Sequence, residues 1–261
     1  MKKIIYSPGE PAGIGPDLIF KLATSKSWEA FKIPIVTIGD PDLFLDRAKL
    51  LKKRVGIIEI NNIQKAKKNK SGSIQLIKVS KCKSTSAGKI LKSNAKYVLD
   101  NLNYAIKETI INKKTALVTG PLNKEALISI EKKFTGHTEY IQKITKSNDV
   151  LMMLASNKLK VALATTHIPL NKVATSITKN LIINKIKILN NDLKTKFNIK
   201  KPNIKILGLN PHAGENGKIG KEEIEHIKPA VKELRKGDIN VSMPISADTA
   251  FSHKILKETD A

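Results

Sequence analysis

The 261 residues include 47 lysines and arginines against 23 aspartates and glutamates, a formal charge of +24, with 41% hydrophobic and 4% aromatic residues. That apolar fraction excludes a disordered chain. The lack of any run of about 18 apolar residues argues against a helical membrane span, and a single cysteine, Cys82, excludes an internal disulfide and fits a reducing cytoplasm.

The N-terminal stretch has two lysines but too few apolar residues for a signal peptide, and reads as a first strand over residues 4–7. Further strands are predicted at 35–38, 56–60, 74–79, 116–118, 150–155, 161–164 and 204–209. They alternate with amphipathic stretches, the pattern of βαβ units around a largely parallel sheet. A helix is predicted over 87–111, with Leu91, Ala95, Val98, Leu102, Ala105 and Ile106 on one face and Ser86 as its cap. Others are predicted over 181–197, 222–236 and, with Ala250, Phe251, Ile255 and Leu256 on one face, 248–259. The lysine- and asparagine-rich segment 61–72 reads as a surface loop. The fold class is α/β in two domains, 1–134 and 135–261, because the loops richest in functional residue types begin near Thr135.

The positive charge invites a nucleic-acid reading. Only Arg47, Arg54 and Arg235 are arginines, however; the lysines are dispersed and stacking aromatics are scarce. No nucleic-acid or membrane partner is expected, and the field is read as help in attracting an anionic substrate.

In an open α/β sheet, functional residues are expected just beyond the carboxyl ends of strands. Ser7-Pro8-Gly9-Glu10-Pro11-Ala12-Gly13-Ile14-Gly15-Pro16 follows the first strand, and its glycines allow either a tight turn or close approach to a ligand. It lacks the third glycine of a dinucleotide fingerprint, where Leu18 stands. Thr119-Gly120-Pro121-Leu122-Asn123-Lys124 follows another strand and places Lys124 near a helix start, as an anion contact or as one more solvated lysine. Of the five histidines, His137, His167 and His212 sit in loops with distinctive neighbours. His167 and His212, each after a predicted strand, are able to share one divalent ion, or to act as capping or core histidines. His226 and His253 are expected on helix surfaces.

Six segments in one order then carry a resemblance: Gly-Glu-Pro-Ala-Gly-Ile-Gly-Pro (9–16), Thr-Gly-Pro-Leu-Asn-Lys (119–124), Gly-His-Thr-Glu (136–139), Thr-His-Ile-Pro-Leu (166–170), Asn-Pro-His-Ala-Gly-Glu (210–215) and Ser-Ala-Asp-Thr-Ala-Phe (246–251). The chain resembles the 4-hydroxythreonine-4-phosphate dehydrogenase family of vitamin B6 biosynthesis. The resemblance implies two α/β/α domains around a cleft, isocitrate/isopropylmalate dehydrogenase-like, and a cytoplasmic homodimer. It also implies NAD or NADP as cofactor and a divalent metal (zinc, magnesium or cobalt) held by His167 and His212. His137 and Thr138 would contact the substrate. To these the residue types add Lys124 as a phosphate or carboxylate contact and His137 as the candidate for orientation or proton transfer.

The expected reaction is oxidation of 4-phosphohydroxy-L-threonine by NAD(P), then decarboxylation, toward pyridoxal 5'-phosphate. A relative acting on another phosphorylated hydroxy acid, such as 4-phospho-D-erythronate, is the neighbouring alternative. A non-catalytic anion- or nucleic-acid-binding protein is the alternative of another class, which steep salt dependence of nucleic-acid affinity would mark. Two departures stand out. Glu10 occupies a position where the family commonly has aspartate. The family also continues into a Tyr-His-Asp-Gln-Gly-type segment that completes the metal site, then a lysine, an asparagine and an arginine that hold substrate, none of which occurs before Ala261. Little dehydrogenase turnover is therefore expected of the 261-residue form.

Overall fold

The computed structural model describes residues 2–261. The chain separates into two compact units, one ending at Asn148 and one spanning Asp149–Ala261. The first contains β1 (Lys3–Ser7), α1 (Gly15–Ala23), α2 (Ser27–Ala30), β2 (Ile35–Ile38), α3 (Pro41–Leu50), β3 (Gly56–Glu59), β4 (Ser73–Ile77), α4 (Ala95–Ile111), β5 (Thr115–Thr119), α5 (Lys124–Ile128) and α6 (His137–Thr145). The second contains β6 (Met153–Ala155), β7 (Lys160–Ala162), α7 (Val173–Ser176), α8 (Lys179–Thr195), α9 (Lys228–Lys236), α10 (Ala247–Ala250) and α11 (His253–Lys257). None of the described helices is long and apolar enough to cross a membrane.

The first unit is a parallel sheet of order β3-β4-β2-β1-β5. Apolar runs such as Ile35–Ile38, buried along their whole length, suit a sheet covered by helices on both faces. Successive residues alternate between faces, so Tyr6, Ile35 and Leu76 join one cluster with Phe20, Phe44 and Leu102, while Ile5, Val36 and Ile77 join another with Ile63 and Ala105. The register pairs Ser7 with Thr119, so the turns leaving β1 and β5 begin side by side.

Several expectations change. The boundary falls after Asn148 rather than at Thr135, because α6 belongs to the first core: Tyr140 stacks on Phe134 at 5.2 Å between ring centroids and its hydroxyl donates to Asn103 Oδ1 at 2.8 Å. The long helix starts at Ala95, not at 87, and Ser86 does not cap it. Ser86 instead bridges to Lys89 through a turn in which Gly88 is left-handed (φ +80°) and donates to the Ala12 carbonyl, which leaves Leu91 exposed. The segment 61–72 is more than a surface loop, since Ile63, Ala66 and Asn69 are buried.

In the second unit the apolar stretches near 153 and 161 pair antiparallel rather than joining a parallel sheet. The reversal is made by Ser156, whose hydroxyl accepts from the amides of Lys158 and Leu159 at 3.3 and 3.1 Å. The predicted strand at 204–209 is reduced to isolated parallel bridges, Ile204 to Val241 and Leu207 to Ile245. The helix expected from 222 opens as one wide π turn, Glu223–Ile227, ahead of α9. Pro229 has no N–H to offer the Glu225 carbonyl, which breaks regular α pairing there. The helix expected over 248–259 is two short ones, α10 and α11, parted where Ser252 is extended (ψ 147°). Its apolar residues Ala250, Phe251 and Leu256 line a cavity of about 360 Å³ within this unit.

Leu102, 1% exposed, anchors α4 in the same cluster as Trp28, the only tryptophan of the chain. Leu102→Ala should lower the unfolding free energy by about 2–5 kcal/mol, read from urea denaturation followed by Trp28 fluorescence. An unchanged midpoint would contradict this placement of the core.

Candidate functional site

The functional end of the first unit is built from two turns pressed together along their backbones. A Cβ placed on Gly9 would lie 2.2 Å from the Pro121 carbonyl oxygen, one on Gly15 2.0 Å from that of Pro8, and one on Gly120 2.2 Å from that of Pro8. The room left by these glycines is therefore taken by the chain itself, which decides for the tight turn over ligand approach at those positions. Hydrogen bonds stitch the contact, Glu10 N–H to the Pro121 carbonyl at 2.9 Å and Gly120 N–H to the Ser7 carbonyl at 2.8 Å, while Tyr6 Oη closes the first turn on itself by donating to the Gly15 carbonyl at 2.8 Å. Arg47, buried on α3, clamps the outer side, with Nη2 donating to the Pro11 carbonyl at 2.7 Å and Nη1 3.3 Å from Asp17. Glu10 is buried in this turn, and burial raises its carboxyl above the ordinary range, partly offset by the Ala12 amide.

The second turn delivers Lys124. Asn123 caps α5 by accepting from the Ala126 amide at 2.8 Å, so Lys124 is the first helical residue, as expected, and it is exposed. His137 is the first residue of α6 and is half-buried, as is Thr138. Lys124 Nζ is 3.9 Å from the point where Gly136 would carry a Cβ, so the ammonium stands beside the start of α6. Burial first, and the Lys124 charge second, lower the His137 pKa below 6.5. The two residues singled out separately along the chain thus form one local arrangement, a neutral imidazole and a cation at a helix start that also holds the Glu139 carboxylate, whose Oε2 lies 2.9 Å from the same Gly136 point.

Histidines 167 and 212 lie in the second unit, both exposed and both on left-handed backbone (φ 57° and 50°). The His212 loop hangs on a carboxylate that sequence reasoning missed. Glu223, 1% exposed, accepts from the Asn210 amide at 2.9 Å and from Asn210 Nδ2 at 3.0 Å. Burial opposes its ionisation, yet the Asn210 donors hold the carboxyl below the ordinary range. A Cβ on Gly214 would meet Glu223 Oε2 at 2.6 Å, so the loop wraps this side chain closely. No local motif announces the pairing of residues 210 and 223. His212 Nδ1 is 3.6 Å from Asp248 Oδ2, and the Ser246 hydroxyl, first among several donors, lowers the Asp248 carboxyl.

Imidazoles and carboxylates are donors that a divalent ion takes. Among the described residues no three His, Cys, Asp or Glu side chains gather to hold one. The donor chemistry fits a metal while the set within this chain falls short of a full shell. His226 lies in the π turn and is half-buried rather than on a helix surface, and His253 begins α11, exposed. Cys82 is buried, and burial, then Asp40 and Glu10, push its thiol up to about 12, so it is no nucleophile.

The family described as Pyridoxal phosphate biosynthetic protein PdxA matches residues 31–261. The 4-hydroxythreonine-4-phosphate dehydrogenase of Pseudoalteromonas translucida (strain TAC 125) is 42% identical over 259 residues, covering 99% of this chain and 77% of that protein. The protein of the same name from Colwellia psychrerythraea (strain 34H) is 41% identical over 260 residues, covering 100% and 78%. The crystal structure of 4-hydroxythreonine-4-phosphate dehydrogenase from Klebsiella pneumoniae is similar with a TM-score of 0.91 at 29% identity, covering 99% of this chain and 78% of that one.

Gly120→Ala should destabilise the chain by about 1–3 kcal/mol through overpacking. Gly56→Ala, whose Cβ would meet nothing nearer than 3.8 Å, should be neutral or slightly stabilising. Equal melting temperatures for the two variants would contradict the contact between the turns. An NMR titration should place the His137 midpoint below 6.5, and Lys124→Gln should raise it by removing a positive neighbour. Since the unfolded chain binds this proton more tightly, the stability tied to His137 rises with pH through 6.5 and is lost below it. A midpoint above 6.5, or one indifferent to Lys124, would contradict the arrangement.

Proposed function

The chain belongs to the PdxA family, and from that premise we propose that it is the dehydrogenase that oxidises 4-phosphohydroxy-L-threonine with NAD or NADP in pyridoxal 5'-phosphate biosynthesis, the product then losing carbon dioxide. The observation that carries the reading at residue level is the pairing of Lys124 with His137 at the start of α6. A phosphorylated hydroxy acid brings fixed negative charge, and an exposed ammonium beside a helix N-terminus is a favourable seat for it.

Within the proposal, Lys124 neutralises a phosphate or carboxylate of the substrate and Thr138 offers its hydroxyl as a hydrogen-bond partner. His137 orients the substrate and accepts the proton that its secondary hydroxyl sheds. An imidazole kept neutral near pH 7 has its acceptor nitrogen free, which is the state such a task needs. Bound NAD or NADP would supply the hydride acceptor. A divalent ion (zinc, magnesium or cobalt), when bound, would supply Lewis acidity toward the hydroxyl, and His167 and His212 are the residues proposed to hold it. The buried Glu223 gives the His212 loop the rigidity that a ligand position requires. Association as a homodimer in the cytoplasm belongs to the same proposal, and light scattering at micromolar concentration tests the dimer.

The direct test follows NADH or NADPH formation by the protein with 4-phosphohydroxy-L-threonine and a divalent salt. His137→Ala should reduce kcat/KM by about 10²-fold or more, whereas Lys124→Gln should act mainly through KM. Wild-type turnover without either effect would leave the reaction standing and remove His137 and Lys124 from it.

A further inference from the structure

Strand β3 forms one edge of the first sheet and is paired only to β4. Beside it lies a hollow of about 420 Å³ whose lining includes Lys65, Lys67, Lys68 and Lys70 and no carboxylate. Its volume lies in the range of sites for small molecules, about 300–1,000 Å³. All four lysines are exposed, and among the described residues none has a carboxylate within ion-pair distance. Glu29, on α2, accepts from the Ser71 amide at 2.9 Å and keeps its charge near the hollow, without an ion pair to any of the four lysines. Trp28, Ile58 and Ile60 supply an apolar wall.

The backbone that roots these lysines is held from beneath. Asn69, buried, accepts from the Ile35 amide at 3.0 Å and donates to the carbonyls of Phe31 and Ile33 at 3.0 and 2.9 Å. Gln75 bridges the amide and the carbonyl of Lys67, both at 2.7 Å. Trp28 Nε1 donates to the carbonyls of Lys70 and Ser73, both at 3.1 Å. Four cations are thus crowded along six residues of fixed main chain, a repulsive arrangement that an anion of several charges relieves. One phosphate matches only part of that charge, whereas a chain of phosphates matches all of it.

We propose that this hollow binds a polyphosphate chain, either free or as the phosphate part of a nucleotide. None of its residues belongs to the dehydrogenase arrangement, so the two readings stand or fall separately. Lysines beside an edge strand also discourage the addition of a further strand. That role by itself requires no saturable ligand, which sets the terms of the test.

Isothermal titration calorimetry would be run on the full chain with tripolyphosphate, ATP and AMP at about 0.15 M salt, where diffuse attraction is screened. Trp28 emission gives a second readout from the wall of the hollow. One variant carries Lys65→Gln, Lys67→Gln, Lys68→Gln and Lys70→Gln together. A charge-matched control carries Lys158→Gln, Lys200→Gln, Lys201→Gln and Lys232→Gln, all exposed in the second unit. The expected result is saturable binding of tripolyphosphate and ATP, weaker binding of AMP, and affinity for the first two at least about tenfold lower in the first variant only, the loss of one charge-assisted contact or more. ATP binding tighter than tripolyphosphate would assign the site to a nucleotide, and equal affinity to the inorganic chain. Absence of saturable binding, or equal weakening in both variants, would overturn the proposal.

Discussion

The contact between the turn that follows β1 and the turn that follows β5 is the constraint on which the first unit's candidate site rests. Parallel pairing of Ser7 with Thr119 starts the two turns at one level. Gly9 and Gly120 then let carbonyl oxygens of the opposite turn occupy the volume of a side chain, and Gly15 does the same for Pro8 within the first turn. Everything downstream inherits that approach: Asn123 caps α5 from the end of the second turn, Lys124 emerges from the cap, and α6 brings His137 toward it. The Arg47 clamp on Pro11 and Asp17 closes the other side, so the first turn is held from both directions. A glycine-rich turn between a strand and a helix invites a reading as a ligand cradle, but here most of that close approach serves chain-to-chain packing.

The second unit uses a different device for the same end. Its His212 loop has left-handed backbone at His212, Ala213, Gly214, Glu215 and Asn216, a conformation that non-glycine residues adopt at a cost. The buried, ionised Glu223 offsets that cost through two Asn210 donors. A carboxylate taken out of water is tolerated when donors meet it. Both units therefore hold their candidate loops by backbone and amide contacts deep to the loop, and leave the imidazoles at or near the surface.

Periodicity made the first unit legible. Its strands are short apolar runs, the three inner ones largely buried and the edge strands β3 and β5 more open, and all five appear where the pattern puts them to within a few residues. Of the candidate site, Lys124 near a helix start and His137 in a distinctive loop were legible separately as residue types, whereas their proximity appears only in the folded unit. What periodicity could not show is competition. Leu91 has the spacing of a helical core residue, but Gly88 and its bond to Ala12 divert the chain before the helix begins. The run at 204–209 is apolar enough for a strand, yet only Ile204 and Leu207 find bridge partners. Glu223 was illegible because its partner is Asn210, and only the folded loop brings the two together.

The seat formed by Lys124 and His137 is proposed to depend on the contact between the turns rather than on its own residues alone, and that dependence is open to one measurement. Calorimetric affinity for 4-phosphohydroxy-L-threonine would be compared between Gly120→Ala and Gly56→Ala, at a temperature where both variants are folded. Gly120→Ala should bind at least about tenfold more weakly, since a shift of the second turn moves Lys124 away from α6. Gly56→Ala should bind as the wild type does. Equal affinity in the two variants would contradict the dependence and leave the close packing of the turns a matter of stability alone.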